Sequence, residues 1–125
     1  MASLTIRVLL ADDHPAMLSG VEHELSVIST IQLIGSAHSS TELIALLDAK
    51  PCDVLVSDYA MPAGEYGDGI ALFSLIQRRY PSVKLVVLTM LDNPAVLRAL
   101  VKQGILCIVS KSDAVSHLVP AVHTA

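Results

Sequence analysis

Five short apolar runs recur along the chain with amphipathic segments between them, and this alternation limits the fold more than any other feature. The runs are "TIRVLLA" (5–11), "IQLIGSA" (31–37), "DVLVSD" (53–58), "KLVVLTM" (84–90) and "ILCIVSK" (105–111). The third, fourth and fifth are almost continuously apolar and rich in Val, Ile and Leu, the pattern of strands covered on both faces. Between the runs, "PAMLSGVEHELSVI" (15–28) sets Met17, Val21, Leu25 and Ile28 at helical spacing behind a proline suited to a first turn. "SSTELIALLDA" (39–49) has Thr41 near its start and Leu43, Leu46 and Leu47 on one side, and "GIALFSLIQRRY" (69–80) stops at Pro81. "NPAVLRALVKQG" (93–104) opens on Asn93-Pro94 and stops at Gly104. A fifth segment, "DAVSHLVPAVH" (113–123), is interrupted by Pro120, which should distort or end a helix. Strand and helix alternate five times, so the expected class is α/β with a parallel sheet and helices on both faces.

The 125 residues suit one domain, and 53% hydrophobic content supplies a core that must be aliphatic, because aromatics are only 3%. A net charge of −4 with scattered basic residues argues against this segment gripping nucleic acid by itself, since phosphate binding needs clustered Lys and Arg. The Arg78-Arg79 pair reads as a solvated helix end. No apolar run approaches the roughly 20 residues that span a bilayer, and "MASLTIRVLL" reads as a strand rather than a signal peptide. Cys52 and Cys107 lack metal-type spacing and read as inert core thiols. A cytoplasmic setting without membrane contact is the expectation.

In open α/β sheets, ligands bind beyond the carboxyl ends of the strands. The polar residues that end the apolar runs are therefore informative. They are Asp12-Asp13 after the first, Asp58 after the third, Thr89 after the fourth and Ser110-Lys111 after the fifth. Three carboxylates, a hydroxyl and an ammonium would converge on one sheet edge. Two carboxylates about 5 Å apart repel by roughly 3 kcal/mol at an effective dielectric near 20, so such a site must take up a proton or a cation. Hard oxygen donors favour Mg²⁺, which completes its shell with water and phosphate oxygens. An Asp can also act as the nucleophile that takes up a phosphoryl group, with Lys111 and Thr89 placed to contact its oxygens. Each residue alone has a plain explanation, Asp13 as a helix cap among them; four strand ends together do not.

The stretches "LLADDHP", "DVLVSDYAMP", "VVLTM" and "IVSK" occur in the order and spacing of a known family. Over essentially its whole length the chain resembles the receiver domains of two-component response regulators. "ADDHP", and the lack of Pro after Lys111, are similar to the NarL/FixJ subgroup. The resemblance implies a CheY-like (flavodoxin-like) doubly wound sheet of order 2-1-3-4-5 with five helices. It implies that Asp58 accepts a phosphoryl group from a histidine kinase or histidine phosphotransfer protein. Asp13 would bind Mg²⁺ directly, Asp12 would support it partly through water, and the carbonyl of Ala60 would add a ligand. Thr89 and Lys111 would hold the phosphoryl group. Phosphorylation would drive homodimerisation and so control transcription through a C-terminal helix-turn-helix domain, absent from this sequence, which would make the DNA contacts. Relatives also pair with auxiliary transcription factors.

Two departures stand out. Many receivers carry an aromatic switch residue three positions before the lysine; here it is Ile108. The positions that can flank the attacking water during dephosphorylation are Ala60 and Leu91, neither of which can orient water, so a long-lived phosphoryl-Asp58 is expected. A Mg²⁺-dependent phosphatase with an aspartyl-phosphate intermediate is a weaker reading, because such enzymes usually carry a second Asp where Ala60 stands. A receiver fold that works by binding alone is weaker too, because such modules generally lose one of the acidic, Thr or Lys positions. A dinucleotide-binding domain fails outright, since "LLADDHP" has acids where a glycine-rich loop should be. His14 follows the acidic pair and reads as an exposed helix-start residue, with a place at the border of the site as the alternative. His23, His38, His117 and His123 show no metal-ligand spacing.

Overall fold

The structure is a computed structural model and describes residues 5–59, 69–89, 94–105 and 107–110. Nine elements alternate: β1 (Ile6–Ala11), α1 (Pro15–Ser26), β2 (Ile31–Ala37), α2 (Ser40–Ala49), β3 (Val54–Asp58), α3 (Gly69–Arg79), β4 (Lys84–Thr89), α4 (Pro94–Lys102) and β5 (Cys107–Ser110). The strands form one parallel sheet of order β2-β1-β3-β4-β5. The order reverses between β1 and β3, so the crevice beyond these two strand ends is where a ligand site belongs. Segment 113–123, read as a fifth helix, lies outside the described residues.

The two-residue period of a strand sends alternate side chains to opposite layers. Leu9 and Ala11 of β1, Leu55 of β3, and Leu85 and Val87 of β4 pack with Leu43, Ile44 and Leu47 of α2, Leu72, Phe73 and Ile76 of α3, and Leu100 of α4. The intervening residues Val8, Leu10, Val54, Val56, Val86 and Leu88 pack on the other face with Leu18, Val21 and Leu25 of α1. The near-continuous apolar character of β3 and β4 thus has its cause in two covered faces. Each fully buried aliphatic side chain contributes about 1.5–3 kcal/mol, which is how an almost wholly aliphatic core holds the sheet. β5 departs from the expectation of full cover: only Val109 is buried, because the strand lies at the sheet edge.

Local chemistry sets the helix ends. α2 begins at Ser39, whose hydroxyl accepts the Glu42 backbone N–H at 3.3 Å, while the Glu42 carboxylate reaches back to the His38 N–H at 2.7 Å. This is a capping-box arrangement displaced by one residue, and Thr41 lies inside the helix rather than at its cap. α4 stops where Gly104 takes φ +89°, a left-handed conformation that costs glycine little. Asn93, read as its cap, lies outside the described residues. Arg79 at the end of α3 pairs with Asp48 at 3.2 Å and lies over the Tyr80 ring, a surface contact.

Candidate functional site

The ends of β1 and β3 carry the acids because both strands stop at the same edge of the sheet. Asp12 follows β1 directly, and its backbone N–H is held by the Ala37 carbonyl at 3.0 Å, which ties the end of β1 to that of β2. Asp58 is the last residue of β3 and stands opposite Leu88 in the β3–β4 register. Asp12 is 2% exposed and Asp58 3%, unusual burial for carboxylates. Thr89 ends β4 one step beyond Leu88, is buried, and pairs in register with Ser110 of β5. The next residue after Asp58 is pinned from two sides. The Tyr59 N–H donates to the Leu88 carbonyl at 2.8 Å, and the Tyr59 carbonyl accepts from Gly69 N–H at 2.9 Å.

One oxygen each from Asp12, Asp13 and Asp58 and a ring nitrogen of His14 all lie within 4.8 Å of one another. Asp12 Oδ1 accepts the His14 backbone N–H at 2.8 Å, an Asx turn that folds the chain back so that the imidazole faces the acids. His14 Nδ1 lies 3.0 Å from Asp12 Oδ1, 3.1 Å from Asp13 Oδ1 and 3.7 Å from Asp58 Oδ2. A hydrogen on Nδ1 would be donated to these carboxylate oxygens. Asp13 is not the cap of α1: that position belongs to His14, whose side chain makes no capping hydrogen bond. The capping explanation for Asp13 is thereby removed.

The fit to a hard cation rests on the donor set. Three carboxylates meet at a point that two of them reach from nearly dry positions. Asp13 Oδ1 is shielded from solvent and accepts no hydrogen bond among the described residues. Oxygen donors gathered this closely suit Mg²⁺. The structure therefore brings Asp12, Asp13 and Asp58 together and puts Thr89 on the adjoining strand end. Ala60 and Lys111 lie outside the described residues, as does Leu91. Ile108 is half-buried in β5 against the core that α2, α3 and α4 cover. His14, expected as an exposed helix-start residue with a place at the border of the site as the alternative, lies at that border. An Asp followed two residues later by a helix-start residue is an Asx-turn pattern, and that was the available signal.

The remaining candidates stay outside the site. Cys52 and Cys107 are free, and burial pushes the Cys52 thiol up to about 11, which makes it a poor nucleophile. His38 pairs with Glu42 at 3.2 Å. No helix among the described residues is long and apolar enough to cross a membrane.

Residues 8–123 match the family described as response regulator receiver domain. The transcriptional regulatory protein RcsB of Escherichia coli (strain K12) is 40% identical over 117 residues, which cover 94% of this chain and 54% of the relative. The chain thus spans about half the length of the curated relatives it matches. The non-phosphorylated receiver domain of RcsB from Escherichia coli superposes with a TM-score of 0.91 at 39% identity, covering 96% of this chain and 92% of that one. RcsB from Salmonella enterica serovar Typhimurium, bound to promoter rprA in the presence of the phosphomimetic BeF3-, superposes with a TM-score of 0.88 at 38% identity, covering 96% and 97%. With the sheet order, the acidic edge and these likenesses in agreement, the chain belongs to the response regulator receiver domains.

Proposed function

We propose that the domain is a phosphorylation-driven switch whose acceptor is Asp58. The observation that carries this is the convergence of Asp12, Asp13 and Asp58 within 4.8 Å at the sheet edge where the strand order reverses. The Asp58 carboxylate attacks the phosphorus of a phosphohistidine on a histidine kinase or phosphotransfer protein. The new O–P bond forms as the P–N bond breaks, and the departing imidazole takes a proton from water. Asp58 is fixed by the β3–β4 ladder, so the attacking oxygen is positioned before the donor arrives, and positioning is much of the catalysis in phosphoryl transfer. Asp13, Asp12 and Asp58, with the Ala60 carbonyl, would hold Mg²⁺, which when bound would neutralise charge on the phosphoryl oxygens. Thr89 donates its hydroxyl to the product, and Lys111 adds a charge-assisted contact.

The output is a population shift towards a form that self-associates. In the intact protein this helps a C-terminal helix-turn-helix domain hold DNA, a reading supported by the similar RcsB, a transcriptional regulatory protein whose structure bound to promoter rprA is known. The setting is cytoplasmic, an auxiliary transcription factor is a further partner, and the domain is a switch rather than a turnover enzyme. The side chains of Ala60 and Leu91 cannot orient a water by hydrogen bonding, so slow decay of phosphoryl-Asp58 is part of this reading.

Beryllofluoride titration tests the reading by heteronuclear NMR. Saturable, Mg²⁺-dependent shifts at residues 12, 13, 58 and 89, lost in Asp58→Asn, are expected. Shifts that persist in that variant would place the acceptor elsewhere.

A further inference from the structure

We infer that His14 is a nitrogen ligand that sets which divalent cation the acidic pocket prefers. Its Nδ1 completes a mixed nitrogen and oxygen set with Asp12, Asp13 and Asp58, and this set selects Ni²⁺ or Zn²⁺ more strongly than carboxylates alone would. The inference rests on the reading of the pocket as a cation site and goes beyond it to the cation's identity.

Geometry is the first support. In an octahedral shell with bonds of about 2.1 Å, neighbouring ligand atoms are about 3.0 Å apart and opposite ones about 4.2 Å. His14 Nδ1 stands 3.0 Å from Asp12 Oδ1 and 3.1 Å from Asp13 Oδ1, the spacing of adjacent ligands. Its 3.7 Å distance to Asp58 Oδ2 falls between the two values.

The second support is how the ring is placed. The His14 backbone N–H is bound to Asp12 Oδ1 at 2.8 Å, so the residue is anchored to the site by its main chain as well. Pro15 follows at the first turn of α1 and fixes the direction of the helix behind it. The imidazole does not cap the helix. Its ring is 64% exposed, so the proton that leaves Nδ1 on coordination can reside on Nε2 and meet water.

Chemistry then gives the direction of the preference. Imidazole suits Ni²⁺, Zn²⁺ and other first-row ions, whereas Mg²⁺ keeps oxygen ligands and its waters. The same pocket therefore holds Mg²⁺ through its carboxylates, with His14 beside it, and a borderline ion through carboxylates and nitrogen together.

The test uses the domain with Mn²⁺ as a spectroscopic probe and Ni²⁺ and Mg²⁺ in parallel titration calorimetry. Wild type, His14→Ala, His14→Gln and Asp13→Asn are compared, with circular dichroism to confirm folding. Pulsed EPR of bound Mn²⁺ should show directly coordinated ¹⁴N in wild type and in neither His14 variant. Ni²⁺ affinity should fall roughly ten- to a hundredfold in both His14 variants, while Mg²⁺ affinity stays within about twofold. Mg²⁺ binding lost in Asp13→Asn, together with no nitrogen coupling in wild type, would overturn the inference and leave the cation site standing. Equal weakening of Ni²⁺ and Mg²⁺ in the His14 variants would also overturn it. No binding of any of the three ions by wild type would overturn both the inference and the cation reading beneath it.

Discussion

Asp13→Asn should make the metal-free domain more stable while abolishing its response to Mg²⁺. The acidic oxygens lie within 4.8 Å of one another, so each carboxylate pair repels by about 3.5 kcal/mol or more at an effective dielectric near 20. Asp13 takes part in two of the three pairs, and its neutral isostere removes both. The gross relief of about 7 kcal/mol is cut heavily by water. The Asp13 side chain is 27% exposed and also faces His14 Nδ1 at 3.1 Å, an attraction the substitution weakens. A net gain on the order of 1–2 kcal/mol remains, which for a domain of this size raises the melting temperature by roughly 3–8 °C. Mg²⁺ at a hundred times its dissociation constant should stabilise wild type by about 2.7 kcal/mol and the variant hardly at all. The order of stabilities therefore reverses between chelator and Mg²⁺. Differential scanning calorimetry reads both arms. A variant that melts below wild type in chelator, or that gains as much from Mg²⁺, would refute the argument that unbalanced charge at this edge calls for a cation.

Other outcomes follow from the packing and the surface charges. Phe73 is fully buried beneath the site, its ring centroid 6.2 Å from that of Tyr59; Phe73→Ala should cost about 3–5 kcal/mol in chemical denaturation, and a loss under 1 kcal/mol would contradict the packing described. Gly69 takes φ +60°, and an added Cβ would come 3.2 Å from the Tyr59 ring. Gly69→Ala should therefore cost about 1–2 kcal/mol for backbone alone and shift the Tyr59 and Asp58 amide resonances; unchanged resonances would remove the link between this turn and the acceptor strand. The Arg7 guanidinium, bonded to Asp53 at 3.0 and 3.1 Å, and its backbone N–H at 2.9 Å hold the Asp53 carboxyl below its ordinary value of 3.8. A depressed folded value means stabilisation present above about pH 4 and lost as pH falls below it. Wild type should exceed Asp53→Asn in stability at pH 7, with the gap closing under pH 4; a constant gap would show that charge is not its source.

Much of this was legible because the signals were redundant. β3 and β4 read as strands from unbroken apolar runs, and the same burial on two faces makes them the sheet's interior. Asp12, Asp13, Asp58 and Thr89 were legible because each follows such a run, and parallel strands put all their carboxyl ends on one edge. What escaped depends on single side chains. Ser39 caps α2, a choice among the three consecutive hydroxyls Ser39, Ser40 and Thr41 that only backbone geometry decides. In β2, the register against β1 steps from Val8–Leu33 to Leu9–Gly35, leaving Ile34 as an extra residue; no periodicity in "IQLIGSA" announces such a bulge. His14 looked like a solvated residue, which its ring largely is, yet a two-residue Asx turn aims one nitrogen at three acids.

The central claim is that Asp58 takes up a phosphoryl group with the help of a cation held beside it. Intact mass after incubation with acetyl phosphate, with and without Mg²⁺ and beside Asp58→Asn, tests it most directly. The account predicts the gain of a single phosphoryl group that needs Mg²⁺ and disappears in the variant. A gain that survives in Asp58→Asn, or none with acetyl phosphate or with a phosphorylated histidine donor, would contradict it.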